Sequence, residues 1–221
     1  VSAVQKVAKQ YQASITEYLN AVLLYSLLQK QEHDFHLRLR PVRIAMPVNL
    51  RRFFPSKTLR NFITMVYPSI DPRLGDYTFE EIVTQVHHYM RYYINSKFLR
   101  GDITTNASTQ RNPLIRIVPL FLKDFVVRQF YQRVQDKNSS AGLTNMGAIR
   151  VPDDMKPYLE RFDIYMGIPY SQRTNCAIVS FEDTLTVNFA SCIIEADVER
   201  RFFQKLVEDG IPVTIESNRE L

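Results

Sequence analysis

His87 and His88 stand side by side, and imidazole is the side chain most often used as a general base near neutral pH. A base needs a ring nitrogen that reaches the substrate. The stretch TFEEIVTQVHHYMRYYINSKFL around the pair reads instead as a helix, with Phe79, Ile82, Val83, Val86, Met90, Tyr93 and Ile94 on one face. Two helical histidines beside a packed face are the simpler reading. His33 and His36 flank Asp34 at a ligand-like spacing, but no second cluster completes a site of three or four ligands, so no metal is expected. The chain has no Gly-rich phosphate loop and no Gly-x-Ser-x-Gly elbow. Its four histidines are all away from any turn that would present a base. A self-contained acid/base enzyme is therefore not expected.

Composition narrows the class. The 221 residues are long enough to bury a sizeable core, and 45% hydrophobic with 23% charged residues is ordinary globular usage. No apolar run approaches the roughly 20 residues needed to cross a bilayer. The first residues, VSAVQKVAKQ, lack the apolar centre of a signal peptide. Cys176 and Cys192 are too few for a disulfide framework. Both read as reduced, buried and structural, which fits the cytoplasm. The net charge of +5 is uneven: Arg38, Arg40, Arg43, Arg51, Arg52, Lys57 and Arg60 fall between Phe35 and Ile70 with no acidic residue among them. No nucleic-acid-binding motif accompanies this stripe, so no nucleic-acid partner is expected. Alternation of Arg38 and Arg40 with Leu37 and Leu39 suggests a solvated strand face. A small anionic partner is the other reading.

The elements follow from periodicity. SITEYLNAVLLYSLLQKQ reads as helix, HLRLRPVRIAMPVNL and FITMVYPSI as strands, and RRFFPSKTLRN as a loop. Thr78 and Glu81 form a capping box for the His87 helix. GDITTNASTQRN reads as a polar loop, and Pro113 to Val134 as a helix that Pro119 kinks or starts. PDDMKPYLE is a short helical turn, and LTNMGAIRV, FDIYMG, CAIVSF, TLTVNFASC and IPVTIES are strands. CAIVSF and TLTVNFASC turn at Glu182-Asp183, which sets Cys176 opposite Phe189. EADVERRFFQKLVEDG is a helix stopped by Gly210. The order predicts a mixed sheet with helices packed on it, in a single α/β domain spanning 1–221.

Two stretches are more specific. PVNLRRFFPSKTLRNF, Pro47 to Phe62, resembles the motif that opens the second half of coenzyme A-dependent acyltransferases of the chloramphenicol acetyltransferase-like superfamily. Plant members carry Val-Asp-x-Arg, a proline-rich stretch, then Gly-Asn. Here Val48-Asn49-x-Arg51, Pro55 and Arg60-Asn61 keep that order, with Asn49 for the aspartate and Arg60 for the glycine. Those departures point to bacterial alcohol acetyltransferase-like and condensation-domain-like proteins. LTNMGAIRVP, Leu143 to Pro152, looks like the Ser/Thr-Asn-x-Gly strand of wax-ester synthase and condensation-like proteins. The His87-His88 pair does not match the superfamily signature His-His-x-x-x-Asp-Gly, because Tyr92 and Tyr93 occupy the last two positions.

The resemblance implies the C-terminal half of a two-half acyltransferase. In that superfamily a histidine deprotonates an alcohol or amine, which attacks an acyl thioester. The catalytic histidine turn usually survives only in the first half. TVNFASCIIEADVERRFFQKL, Thr186 to Leu206, would be the degenerate copy of that turn, with Phe189 in the place of the base. The chain is thus expected to have no catalytic residue and to be inactive by itself. Its partners would be the N-terminal half of the same polypeptide and an acyl-coenzyme A or acyl-carrier thioester, with coenzyme A as co-substrate. An exposed interface between halves would favour self-association. By resemblance, Arg51 would pair with the aspartate of the missing motif; the alternative is a surface arginine on a basic loop. Thr144, Asn145 and Gly147 would line the channel; the alternative is a tight strand start that needs a glycine. A non-catalytic binding module of the same fold, holding an anionic or peptide partner, is the second reading.

Overall fold

The structure, a computed structural model, describes residues 1–33, 38–111, 119–125, 139–168 and 172–218. Helix α1 (Ser2–Gln10) leads into α2 (Ile15–His33), and strands β1 (Val42–Asn49), β2 (Ile63–Val66) and β3 (Ser69–Ile70) follow. Next come helices α3 (Phe79–Tyr93) and α4 (Ser96–Arg111), then strands β4 (Ala141–Ala148), β5 (Thr174–Phe181) and β6 (Thr184–Ser191). Helix α5 (Asp197–Glu208) comes last. The strands form one sheet in the order β2-β1-β4-β5-β6, with β3 also on β1. Strands β1, β4 and β5 run parallel, while the β1–β2, β1–β3 and β5–β6 pairs are antiparallel. This is the mixed α/β architecture expected from the order of elements.

Helix α2 sits at the centre. Tyr18, Leu19, Ala21, Val22, Leu23 and Leu24 are all fully buried, so the helix is enclosed nearly all round. It packs against α1, α3, α5 and β1. The sheet turns Ile44, Leu143, Cys176 and Phe189 towards this layer. Its other face carries Ala45, Gly142, Asn175 and Ala190 in one row. Every residue of β5 is buried, so both faces are covered there. On the second face Phe162 meets Phe181 edge-on at 5.2 Å. Among the described residues no helix is long and apolar enough to cross a membrane.

Local chemistry explains several elements. Thr78 and Glu81 make both bonds of a capping box at the start of α3, and those bonds hold the Glu81 carboxyl below its ordinary range. Gly210 follows the end of α5 with φ 77, the left-handed conformation that glycine adopts without strain. The β5–β6 hairpin turns at Glu182 and Asp183, and Cys176 does lie opposite Phe189.

Other expectations need correction. The polar stretch expected as a loop over 101–112 is helix through its described residues: α4 runs through it to Arg111. Asn95 starts that helix by accepting from the amides of Lys97 and Phe98, and Leu99 anchors it in the core. Thr104 and Thr105 turn their hydroxyls back to the carbonyls of Arg100 and Gly101, which lets polar residues sit mid-helix. The opening residues, read only for a leader, form α1, whose Val4, Val7 and Ala8 face the core. Arg38 to Arg40 precede β1 instead of forming its face. The stretches 162–167 and 211–217, expected as strands, join no sheet among the described residues. Asp34, His36 and Leu37 lie outside the described residues, as does most of the helix expected over 113–134.

Candidate functional site

Strand β6 ends at Ser191 and helix α5 begins at Asp197, a strand–turn–helix unit. Phe189 lies near the end of β6. Its ring packs edge-on against Phe202 at 5.1 Å and Phe203 at 5.7 Å, both on α5. A phenyl ring has no proton to exchange, so Phe189 itself packs and does no acid/base chemistry. Ser191 ends β6, and Cys192 follows it with its amide and thiol both directed at the Arg173 carbonyl.

The two cysteines part company. Cys176 is fully buried, and burial pushes its thiol far above the ordinary range. Cys192 is exposed, against the expectation that both are buried, because it lies just past the strand on the open turn. A thiol-specific alkylating reagent added to the folded protein is therefore expected to label Cys192 alone. Mass spectrometry of the digested protein checks this, and labelling at Cys176 would show the core to be open.

The residues expected to line a channel sit on β4. Asn145 donates to the Thr16 hydroxyl at 2.9 Å, tying the strand to the first turn of α2. Its side-chain oxygen accepts from the Gly147 amide at 2.9 Å. Gly147 has φ 81, and the β4–β5 register shifts between Asn145 and Ala148. This is a β-bulge, and only glycine takes its φ without strain. Thr144 lies opposite Ala177 on the other face of the sheet from Asn145. The structure thus joins Asn145 to Gly147 and turns Thr144 away from both.

Arg51 belongs to a separate group. Asn49 accepts from the Arg51 amide and starts a short 3-10 turn, Leu50–Arg52. The Arg51 guanidinium donates to the carbonyls of Thr58 at 2.8 Å and Arg60 at 2.6 Å. It therefore cross-ties the loop between β1 and β2. Asn49 caps this turn, since its side-chain oxygen accepts as a carboxylate would.

Sequence reasoning missed two polar clusters. Glu17, buried at the start of α2, accepts from the Ser14 amide at 2.7 Å and faces His87 Nδ1 at 3.4 Å. His88 is exposed beside it. The second cluster joins α2 to α5: the Tyr18 hydroxyl donates to Asp209 at 2.6 Å, and Lys205 bonds the same carboxylate. Burial and the carboxylate together raise the Tyr18 phenol far above its ordinary range. Lys205 also sits 4.3 Å over the Phe79 ring. The one sequence signal for the first cluster is the Ser14-x-x-Glu17 spacing of a capping box. Among the described residues no group of three His, Cys, Asp or Glu side chains could hold a metal.

Comparison with known proteins gives a fold likeness. No protein-family model matches, and no curated protein matches. Solved structures do. A trichothecene 15-O-acetyltransferase from Fusarium sporotrichioides is 12% identical with a TM-score of 0.55, covering 94% of this chain and 43% of its own. The epimerization domain from the third module of tyrocidine synthetase B is 12% identical with a TM-score of 0.54, covering 92% of this chain and 43% of its own. A structure concerned with condensation domain-mediated chain release from the enacyloxin polyketide synthase is 14% identical with a TM-score of 0.50, covering 100% and 41%. The chain thus spans less than half the length of each of these structures. At such identities the likeness is one of fold, and the chain has the fold of condensation-domain and chloramphenicol acetyltransferase-like proteins.

Proposed function

We propose that this chain is the C-terminal half of a coenzyme A-dependent acyltransferase, which moves an acyl group from a thioester to an alcohol or amine. The observation that carries the reading is the fold likeness, which takes in nearly all of this chain and under half of the acetyltransferase, the condensation-domain structure and the epimerization domain alike. Phe189 in the place of a base supports it, because a half without a base needs one from elsewhere. In this reading the N-terminal half holds the histidine, in a cytoplasmic enzyme. This chain contributes one channel wall through Thr144, Asn145 and Gly147. Arg51 positions the catalytic turn from its cross-tied loop and does not touch substrate. The histidine takes the acceptor's proton as the acceptor oxygen or nitrogen attacks the thioester carbonyl, and the thiolate leaves with a proton.

The test uses the full reading frame that contains this chain, supplied with acetyl-coenzyme A and a panel of alcohols and amines. Thiol release is expected with at least one acceptor. Arg51→Ala is expected to lower kcat about a hundredfold with KM little changed, as a misplaced catalytic group does. Thiol release by no acceptor, together with tight binding of an anionic or peptide ligand, would replace this reading with the binding module.

A further inference from the structure

Arg51 apart, the basic stretch between Phe35 and Ile70 takes no part in the proposed transfer, and it contains no acidic residue. The loop between β1 and β2, residues 50–62, concentrates Arg51, Arg52, Lys57 and Arg60 around Phe53, Phe54 and Leu59. Its apolar residues divide into two kinds. Phe53, Phe54 and Phe62 are half-buried and pack on the core. Leu59 is fully exposed, at 102%, and Ile63, where β2 starts, is 49% exposed.

The loop is braced so that this leucine stands out from it. The Leu50 amide donates to the Phe62 carbonyl at 3.1 Å and closes the loop at its base. The Arg51 guanidinium donates to the carbonyls of Thr58 and Arg60, on either side of Leu59. The Ser56 hydroxyl accepts from the Thr58 amide at 3.3 Å, and the Thr58 hydroxyl accepts from the Arg60 amide at 3.2 Å. The peptide groups flanking Leu59 thus find partners within the loop, which lowers the cost of carrying them out of bulk water. The side chains of Arg52, Lys57 and Arg60 are all exposed. Arg100 on α4 adds a fourth cation, its guanidinium carbon 6.0 Å from the centre of the Phe54 ring.

We propose that this loop docks on an anionic lipid surface, with Leu59 entering the boundary between headgroups and acyl chains and Arg52, Lys57, Arg60 and Arg100 lying against the headgroups. Shape and charge together select a lipid surface over a protein partner. Leu59 is one projecting apolar side chain flanked by Lys57 and Arg60. A protein interface is built on an apolar core of many residues and seats its anchors in fitted pockets. A lipid boundary admits a single apolar side chain anywhere along it and attracts the cations beside it. The proposal goes beyond the transfer reading and does not depend on it. It leaves Arg51 out of the binding set, because that guanidinium is engaged within the loop.

Sedimentation with vesicles tests this. The full reading frame and the 221-residue chain are each mixed with phosphatidylcholine vesicles holding about a third phosphatidylserine. Both proteins are expected to sediment with these vesicles. Both are expected to stay in solution with phosphatidylcholine alone, or at about 1 M salt, where charges act only within roughly 3 Å. Leu59→Ser is expected to weaken binding about tenfold, and Lys57→Glu with Arg60→Glu to abolish it. The melting midpoint is expected to hold in each variant, because these side chains are exposed. No binding to the anionic vesicles, or binding that neither variant alters, would overturn the proposal. Loss on charge reversal with Leu59→Ser unaffected would assign the loop to a soluble anion or an acidic protein and overturn the lipid occupant. Binding by the shorter chain and not by the full reading frame would show that the rest of the polypeptide covers the loop, and would overturn it equally.

Discussion

Replacing Phe202 with alanine is expected to cost about 3–5 kcal/mol of stability, the range for deleting a fully buried aromatic ring. Phe202 is completely buried on α5 and meets Phe189 of β6 at 5.1 Å and Phe203 at 5.5 Å. It joins the final helix to the sheet through the Phe189 ring. Removing it leaves a cavity that Phe189 and Phe203 fill only in part, since each is already held by its own strand or helix. Chemical denaturation checks the value. A loss below about 1 kcal/mol would mean that α5 does not pack on β6 as described.

Gly142→Val is expected to cost about 3 kcal/mol, through overpacking and a broken buried hydrogen bond. A Cβ at Gly142 would stand 2.6 Å from the Asn175 side-chain oxygen and 3.1 Å from that of Gln172. Asn175 has no freedom to retreat: it is buried, its oxygen accepts from the Gly142 amide at 2.8 Å, and its amide donates to Gly167. Moving it would break both bonds where the parallel β4–β5 ladder begins. The milder Gly142→Ala gives the sharper check. In an Asn175→Ala background the closest clash disappears and only the Gln172 contact remains, so the double variant is expected to cost less than the sum of the two single changes. Strict additivity would show that Asn175 is not the obstacle.

What could be read from the sequence was mostly local. The Thr78–Glu81 box, the hairpin at Glu182-Asp183 and the stop at Gly210 each depend on neighbours within a few residues, and each is found. Helix α4 was hidden because threonine and asparagine ordinarily favour loops, and the Asn95 cap, buried Leu99 and the packing of Phe98 and Ile103 hold it. Helix α1 was hidden by its small and charged residues. Stretches 162–167 and 211–217 show the limit most clearly. Their alternation is genuine, but a ladder needs a partner, and pattern alone does not say whether one is present. At the candidate site, Thr144, Asn145 and Gly147 were singled out together as a channel wall, and the bond between Asn145 and Gly147 was not foreseen. The tie from Asn145 to Thr16 crosses 129 positions of sequence and leaves no local trace. The same holds for Glu17 facing His87 and for Tyr18 bonded to Asp209.

The most direct measurement is thiol release from acetyl-coenzyme A by the 221-residue chain, first alone and then after addition of a separately purified N-terminal half. The expected result is a rate for the chain alone no higher than spontaneous hydrolysis, and acceptor-dependent release once the other half is added. Release by this chain alone, lost in His87→Ala, would contradict the claim that the base lies elsewhere and would assign it to the histidine facing Glu17.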